Sequence, residues 1–306
     1  LHADEKRRFS NAMSDTKAGA GAAFAALGGA ALLGLSPIGV RLSELGPQAT
    51  NLWRFVFALP ILAVWALASR RIPQAGQAGW LVVAGLLFGF EISLWAEALS
   101  HTTVTNATLF SNMTPIFAAA FAWFVFKERP RSGVFWGGAI ALIGALTLAI
   151  ARARAGAGPA ATPEEGWYGD ALGFSSAIGY AGYLLIVRHL GGRVSTGAVM
   201  LIATLAGGAY ALLLSLALGE ELLPQTLNGW LVLIGLGVIV QAAAQGLIAY
   251  GVARLPIAVS TIMLWMQPVM AAVWSWVLFG ESLGPLALGG AALILAGVYL
   301  VQRARA

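Results

Sequence analysis

Long apolar runs follow one another along the whole chain, each parted from the next by a short polar or basic stretch. A helix rising 1.5 Å per residue needs about 20 apolar residues to cross a hydrocarbon core about 30 Å thick. Runs of that kind occupy residues 18–40, 49–68, 79–100, 103–126, 133–151, 168–188, 196–217, 228–251, 256–279 and 284–302. They are continuous and rich in Ala, Leu and Gly, without the alternation of membrane-barrel strands. Backbone exposed to lipid must satisfy its own hydrogen bonds, so each run is predicted to be an α-helix. The expected fold class is an all-α integral membrane protein with ten transmembrane helices. Residues 1–17 are polar and of mixed charge and read as an N-terminal tail, with Met13 as a natural start. The first run reads as a retained span, because its length and the runs behind it do not fit a cleavable signal peptide.

Composition agrees with this pattern. The 306 residues are 59% hydrophobic and only 10% charged, against roughly 25% charged in soluble domains. There is no cysteine, which excludes disulfides and thiol chemistry. The net charge of +5 does not imply nucleic acid, because the basic residues sit in short segments between spans and act as topology signals. With the N-terminus placed in the cytoplasm, 14 Lys and Arg fall in inner segments and three (Arg41, Arg152, Arg154) in outer ones, with Arg54 inside a span. Both termini are therefore expected to be cytoplasmic, in a bacterial-type inner membrane. The longest loop, 152–167, would lie outside as a periplasmic linker.

The chain also repeats itself. Adding 153 to Met113, Pro115, Ala118, Ala119, Trp123, Phe126, Glu128, Gly137, Ala139, Leu142 and Gly144 gives the same residue types, 11 identities in 36 ungapped positions. Upstream, GWLVVAGL at 79–86 matches GWLVLIGL at 229–236, an offset of 150. Residues 18–151 and 168–306 are thus expected to be two halves of five helices each. Five is odd, so the second half must enter the membrane upside down. Inverted repeats are frequent in secondary transporters, whose substrate sites lie near the midplane between the halves.

The stretch TTVTNATLFSNMTPIFAAAFAWFVFKERP at 102–130 resembles the end of an EamA repeat of the drug/metabolite transporter superfamily. Its downstream copy, STIMLWMQPVMAAVWSWVLFGESLG at 260–284, resembles it too. The resemblance covers nearly the whole chain. It implies a five-plus-five inverted repeat around a central cavity, in an export protein. LLFGFEISLW at 86–95 is similar to the third helix of aromatic amino acid exporters of the YddG type, which implies aromatic or neutral amino acids as substrates.

Polar groups inside lipid are costly, and each needs a reason. Glu91 falls near the middle of span three; the offset of 150 pairs it with Gln241, and Trp95 with Gln245. Residues four apart share a helix face, so these four are candidate substrate-binding residues, with Glu91 also a candidate proton site or a buried acid bonded to a neighbouring helix. Thr105, Thr108 and Asn112 share a face of span four, and the offset of 153 maps Thr108 onto Thr261 and Asn112 onto Trp265. Thr108, Asn112 and Trp265 join the candidate binding set, while Asn106 and Ser111 read as helix-packing groups. Pro115 and Pro268 match in mid-span and are expected to kink their helices, for gating or for packing. Arg54 could pair with Glu91 or Glu97, capture a substrate carboxylate at the outer mouth, or snorkel outward. Among the tryptophans, Trp95 and Trp265 are the cavity candidates. Trp65, Trp80, Trp167 and Trp230 read as an interfacial belt, Trp123 and Trp276 as packing residues, and Tyr180 and Tyr183 as lesser candidates.

Rival classes lack their chemistry. None of the three histidines (His2, His101, His189) lies mid-membrane, and no H-E-x-x-H motif, metal site or cofactor motif is present. No phosphate-binding loop of the G-x-x-x-x-G-K-[ST] type occurs, so ATP does not drive this chain directly. The expected partners are the lipid bilayer, a small-molecule substrate and, through Glu91, protons, with one chain sufficient as a monomer. Import, and a cationic drug or another metabolite as substrate, stay open at this point, with an intramembrane enzyme the remote alternative.

Overall fold

A computed structural model describes residues 19–69, 73–101, 110–127, 131–154, 163–280 and 284–305. Among them ten helices follow one another: α1 (Gly19–Leu42), α2 (Pro47–Ala68), α3 (Ala75–His101), α4 (Thr114–Phe126), α5 (Ser132–Arg154), α6 (Pro163–Leu190), α7 (Thr196–Leu218), α8 (Leu227–Val252), α9 (Ile257–Phe279) and α10 (Pro285–Arg305). Nine are long and apolar enough to cross a membrane, and the described part of α4 is a shorter apolar helix. The upstream part of the fourth predicted span, with Thr105, Asn106 and Thr108, lies outside the described residues.

Local sequence sets the helix ends. The Ser195 side chain accepts a hydrogen bond from the Ala198 N–H and caps α7, and the Thr226 side chain does the same for α8 through Gly229. The α7 helix stops at Gly219, whose φ of 67° suits a residue without a Cβ. The ends of α4 and α9 are related by the repeat: Lys127 (φ 57°) and Gly280 (φ 67°), 153 positions apart, both take the left-handed conformation.

The inverted repeat is visible in the packing. Helix α5 lies along α10, α3 along α6 and α7, and α2 along α7 and α8. Helix α1 runs toward the 43–46 loop, which meets the 219–226 loop through Glu44. Its repeat partner α6 runs the other way, toward the 191–195 loop, where Ser195 bonds Ser69 at the opposite end of the molecule. Reciprocal glycines join α5 and α10. A Cβ at Gly137 would lie 2.8 Å from the Gly297 carbonyl oxygen, and one at Gly290 would lie 2.9 Å from that of Gly144. Since Gly137 repeats as Gly290 and Gly144 as Gly297, the halves meet through one contact used twice, across a pseudo-two-fold axis. Only residues without side chains allow backbones this close.

The outer surface is apolar, as lipid requires: Phe24, Phe124 and Leu213 are each more than two-thirds exposed. Trp123 and Trp276 also face outward, at 51% and 55% exposure, so they are not the packing residues expected of them. Trp65 departs from the expected belt, because it fills the space left by Gly197 and Gly246. Trp80 and Trp167 are exposed, and Trp230 packs edge-on against Trp53.

Candidate functional site

Three helices lose regular bonding at one level. In α1 the turn at Gly34–Leu35 precedes Pro37. In α4, Ile116 N–H bonds to the Met113 carbonyl at 2.9 Å; in α9, Gln267 N–H bonds to the Leu264 carbonyl at 2.9 Å. These are 3₁₀-type bonds, which mark local tightening of a helix. Prolines cause them, since Pro115 and Pro268 have no N–H for the regular ladder. The kink in α4 leaves the Asn112 carbonyl without Ile116, and Trp265 takes it, donating from Nε1 at 2.8 Å. Asn112 and Trp265 are repeat partners, so the two kinked helices meet at the pseudo-two-fold axis.

An open pocket of about 640 Å³, counting its part open to solvent, lies against these kinks. Leu33 and Ser36 of α1, Arg54 of α2, and Phe88, Glu91, Ile92 and Trp95 of α3 form one side. Ser111, Asn112, Thr114 and Pro115, Tyr180 of α6, Gln245 of α8, and Leu264, Trp265 and Gln267 of α9 form the other. Seven aromatic or large aliphatic residues thus sit beside one guanidinium and one carboxylate.

Arg54 is 1% exposed. It neither snorkels nor pairs with a carboxylate: Nε donates to Gln241 Oε1 at 3.0 Å and Nη1 to Ser36 Oγ at 3.1 Å. Gln241 then donates to Thr204 at 3.2 Å, which fixes the amide that receives the arginine. These partners are neutral, and the Glu91 carboxylate acts on the guanidinium without a direct bond. Glu91 accepts from Ser176 Oγ at 3.4 Å, and Glu97 bonds His101 at 3.0 Å, away from Arg54.

Of the expected residues, Arg54, Glu91, Trp95, Asn112, Pro115, Gln245 and Trp265 line the pocket together. Pro268 lies behind the α9 kink, outside the lining. Gln241 and Gln245 do not act as one face. Residues 236–244 form a π-helix, whose wider turn displaces side chains four apart. Gln241 therefore serves Arg54, while Gln245 accepts from the Tyr180 hydroxyl at 3.2 Å. Ser111, expected to be a packing group, is a wall residue. Ser36, Ser176 and Thr204 were not anticipated; single hydroxyls in apolar spans usually bond their own backbone and give little signal.

Trp265→Phe removes the Nε1 donor together with the second ring of a buried indole. The lost hydrogen bond alone predicts a destabilisation of about 1 kcal/mol, to which the void left by the smaller ring adds, read as a lower unfolding temperature of the purified protein. An unchanged temperature would show that the contact at the axis contributes nothing.

Comparison with known proteins places the chain in a family. Residues 20–150 and 167–303 match the EamA-like transporter family. The chain is 30% identical over 275 residues to a probable terminal-alkyne amino-acid exporter of Streptantibioticus cattleyicolor, covering 87% of each chain. It is 22% identical over 244 residues to the pseudopaline exporter CntI of Pseudomonas aeruginosa, covering 78% of each. A solved crystal structure shares the fold with a TM-score of 0.79 at 21% identity, over 93% of this chain and 97% of that one. With ten apolar helices, an inverted repeat and family matches in both halves, the chain belongs to the EamA-like transporter family.

Proposed function

We propose that the protein exports zwitterionic amino acids with apolar or aromatic side chains by alternating access between its two inverted halves. The observation that carries this reading is the pairing of unlike charges in one apolar pocket. Arg54 and Glu91 line the same wall without forming an ion pair with each other. A substrate carboxylate would bridge to Arg54 and a substrate ammonium to Glu91, so each end finds its opposite. Phe88, Trp95 and Trp265 offer an apolar and aromatic wall for the side chain, the usual division of labour in small-molecule sites. The exporter named for terminal-alkyne amino acids supports both the substrate class and the direction. In this reading one chain suffices, both termini are cytoplasmic in a bacterial inner membrane, and the path runs from the cytoplasm outward.

The test is counterflow in proteoliposomes with phenylalanine, tryptophan, threonine, a nucleobase and a polyamine. Phenylalanine and tryptophan are expected to exchange and to compete with one another. Phenylalanine amide and N-acetyl-phenylalanine each lack one charge and should compete about 10- to 100-fold more weakly, at 1.5–3 kcal/mol for a charge-assisted hydrogen bond. Movement of the polyamine or nucleobase without the amino acids would sink the assignment.

Glu91 is also the proposed proton site. Glu91→Gln keeps the shape and cannot titrate, so it is expected to flatten the pH dependence of exchange. Exchange that keeps its wild-type pH profile in this variant would take that role from Glu91.

A further inference from the structure

Helix α2 carries a second set of polar residues above Arg54. Gln48, Asn51 and Arg54 follow at intervals of three, and each is 1% exposed. Opposite Gln48 stands Ser93 of α3, also buried, whose carbonyl accepts from Gln48 Nε2 at 3.5 Å. Each of these three neutral side chains keeps a buried polar atom without a partner: Gln48 Oε1, Asn51 Nδ2 and Ser93 Oγ. A buried donor or acceptor left unpaired loses its hydration without return, and native interiors hold few of them. Leucine or alanine would pack here at lower cost. Three such groups in one place therefore point to an occupant.

Their chemistry describes that occupant. Asn51 Nδ2 can only donate, Gln48 Oε1 can only accept, and Ser93 Oγ can do either. Together they suit a polar head that both accepts and donates, as a carboxylate and an ammonium on one carbon do. Their position describes its route. Asn51 is one helical turn from Arg54, which lines the pocket, and Ser93 adjoins Ile92, which lines it too. Gln48 lies in the first turn of α2, where Glu220 accepts from the Gln48 N–H at 3.3 Å and the Ala49 N–H at 2.7 Å. The set thus runs from the pocket to the first turn of α2, whose N–H groups the Glu220 carboxylate caps.

We infer that Gln48, Asn51 and Ser93 form a second binding station, which holds the polar head of the amino acid between the Arg54 pocket and the end of the molecule closed by Glu220. The inference rests on the pocket being the transport site. It adds a stop on the way out, beside the end of α2 that Glu220 caps.

The chain has no cysteine, so single-cysteine variants of the whole protein report directly. Asn51→Cys and Ser93→Cys are placed in proteoliposomes beside Trp95→Cys, a pocket reporter, and Ala211→Cys, a reporter in the apolar core at 0% exposure. All are exposed to a charged, membrane-impermeant methanethiosulfonate, with and without saturating phenylalanine, after size exclusion shows each is folded. Expected is labelling at positions 51 and 93 at least tenfold faster than at 211, and slowed at least threefold by phenylalanine. If only Trp95→Cys labels, the station falls and the pocket reading stands. If 51 and 93 label but phenylalanine protects only 95, the space holds water and the station falls. If none labels faster than 211, both readings fall. Asn51→Leu provides the second measure, with a tenfold slower exchange expected at unchanged half-saturation. An unaltered rate would overturn the station.

Discussion

Arg54→Gln is expected to lower kcat/KM for phenylalanine by about 10- to 100-fold, the range set by one charge-assisted hydrogen bond worth 1.5–3 kcal/mol. The reasoning begins with its surroundings. The guanidinium is buried at 1% exposure and held only by Gln241 and Ser36, both neutral. In the proposed reading this positive charge, which Glu91 feels without a direct bond, receives the substrate carboxylate. Glutamine removes the charge and leaves a shorter, neutral polar group. The variant should also stop distinguishing phenylalanine from its amide, because both then meet an uncharged donor. Discrimination retained at the wild-type ratio would move the carboxylate site elsewhere. Arg54→Lys should fall between the two, since one ammonium cannot span Gln241 and Ser36 as a planar fork does. Size exclusion of the purified variants separates a transport defect from misfolding.

The second large effect is on stability. Gly297→Ala puts a Cβ 2.5 Å from the Gly137 carbonyl oxygen and 2.6 Å from the Ala141 nitrogen, both backbone atoms of α5. No rotamer relieves such a clash, so α5 and α10 must separate along their length. Overpacking of this kind costs about 1–3 kcal/mol or more. Gly144→Ala is its repeat twin, with a Cβ 2.6 Å from the Ile294 nitrogen and 2.7 Å from the Gly290 carbonyl oxygen. The two losses are expected to be of similar size. Gly289→Ala is the control, because nothing lies within 4 Å of its added Cβ; helix propensity there favours alanine by about 0.5–1 kcal/mol. Thermal unfolding in detergent reads all three. Equal unfolding temperatures for Gly297→Ala and Gly289→Ala would refute the close crossing.

Much of the fold was legible because a bilayer reduces it to a repeating requirement. Twenty apolar residues and an odd number of spans per half sufficed to expect α1 running opposite to α6. The site was legible where a costly group stood alone in an apolar run, as Glu91 and Arg54 do. It became illegible where backbone geometry departs from a regular helix. The four-residue spacing of Gln241 and Gln245 implied a common face, and the π-helix at 236–244 parts them. No residue in LGVIVQAAA announces that extra turn width. Arg54 seemed able to snorkel because sequence gives depth but not facing. Ser36 and Thr204, which receive the arginine directly or through Gln241, are single hydroxyls without spacing or charge to distinguish them. Trp123 and Trp276 matched across the repeat and suggested interior packing, yet identity at a fixed offset reports common descent of the halves as readily as burial.

The pseudo-two-fold axis passes between unlike residues. Asn112 and Trp265 occupy equivalent positions and touch each other, but one gives a backbone carbonyl and the other an indole N–H. Glu91 and Gln241 differ in the same way. Two identical halves would make the inward-facing and outward-facing forms equal in energy. In the proposed alternating access each form sets different groups against each other, which makes their energies unequal. An apparent affinity is weakened by the fraction of molecules in the competent form. In the proposed cycle such a carrier has different half-saturation concentrations at its two faces. Divergence of the two halves after duplication then adjusts at which concentration each face fills, while the direction of net flow follows the gradients of the substrate and of the proton that Glu91 is proposed to carry.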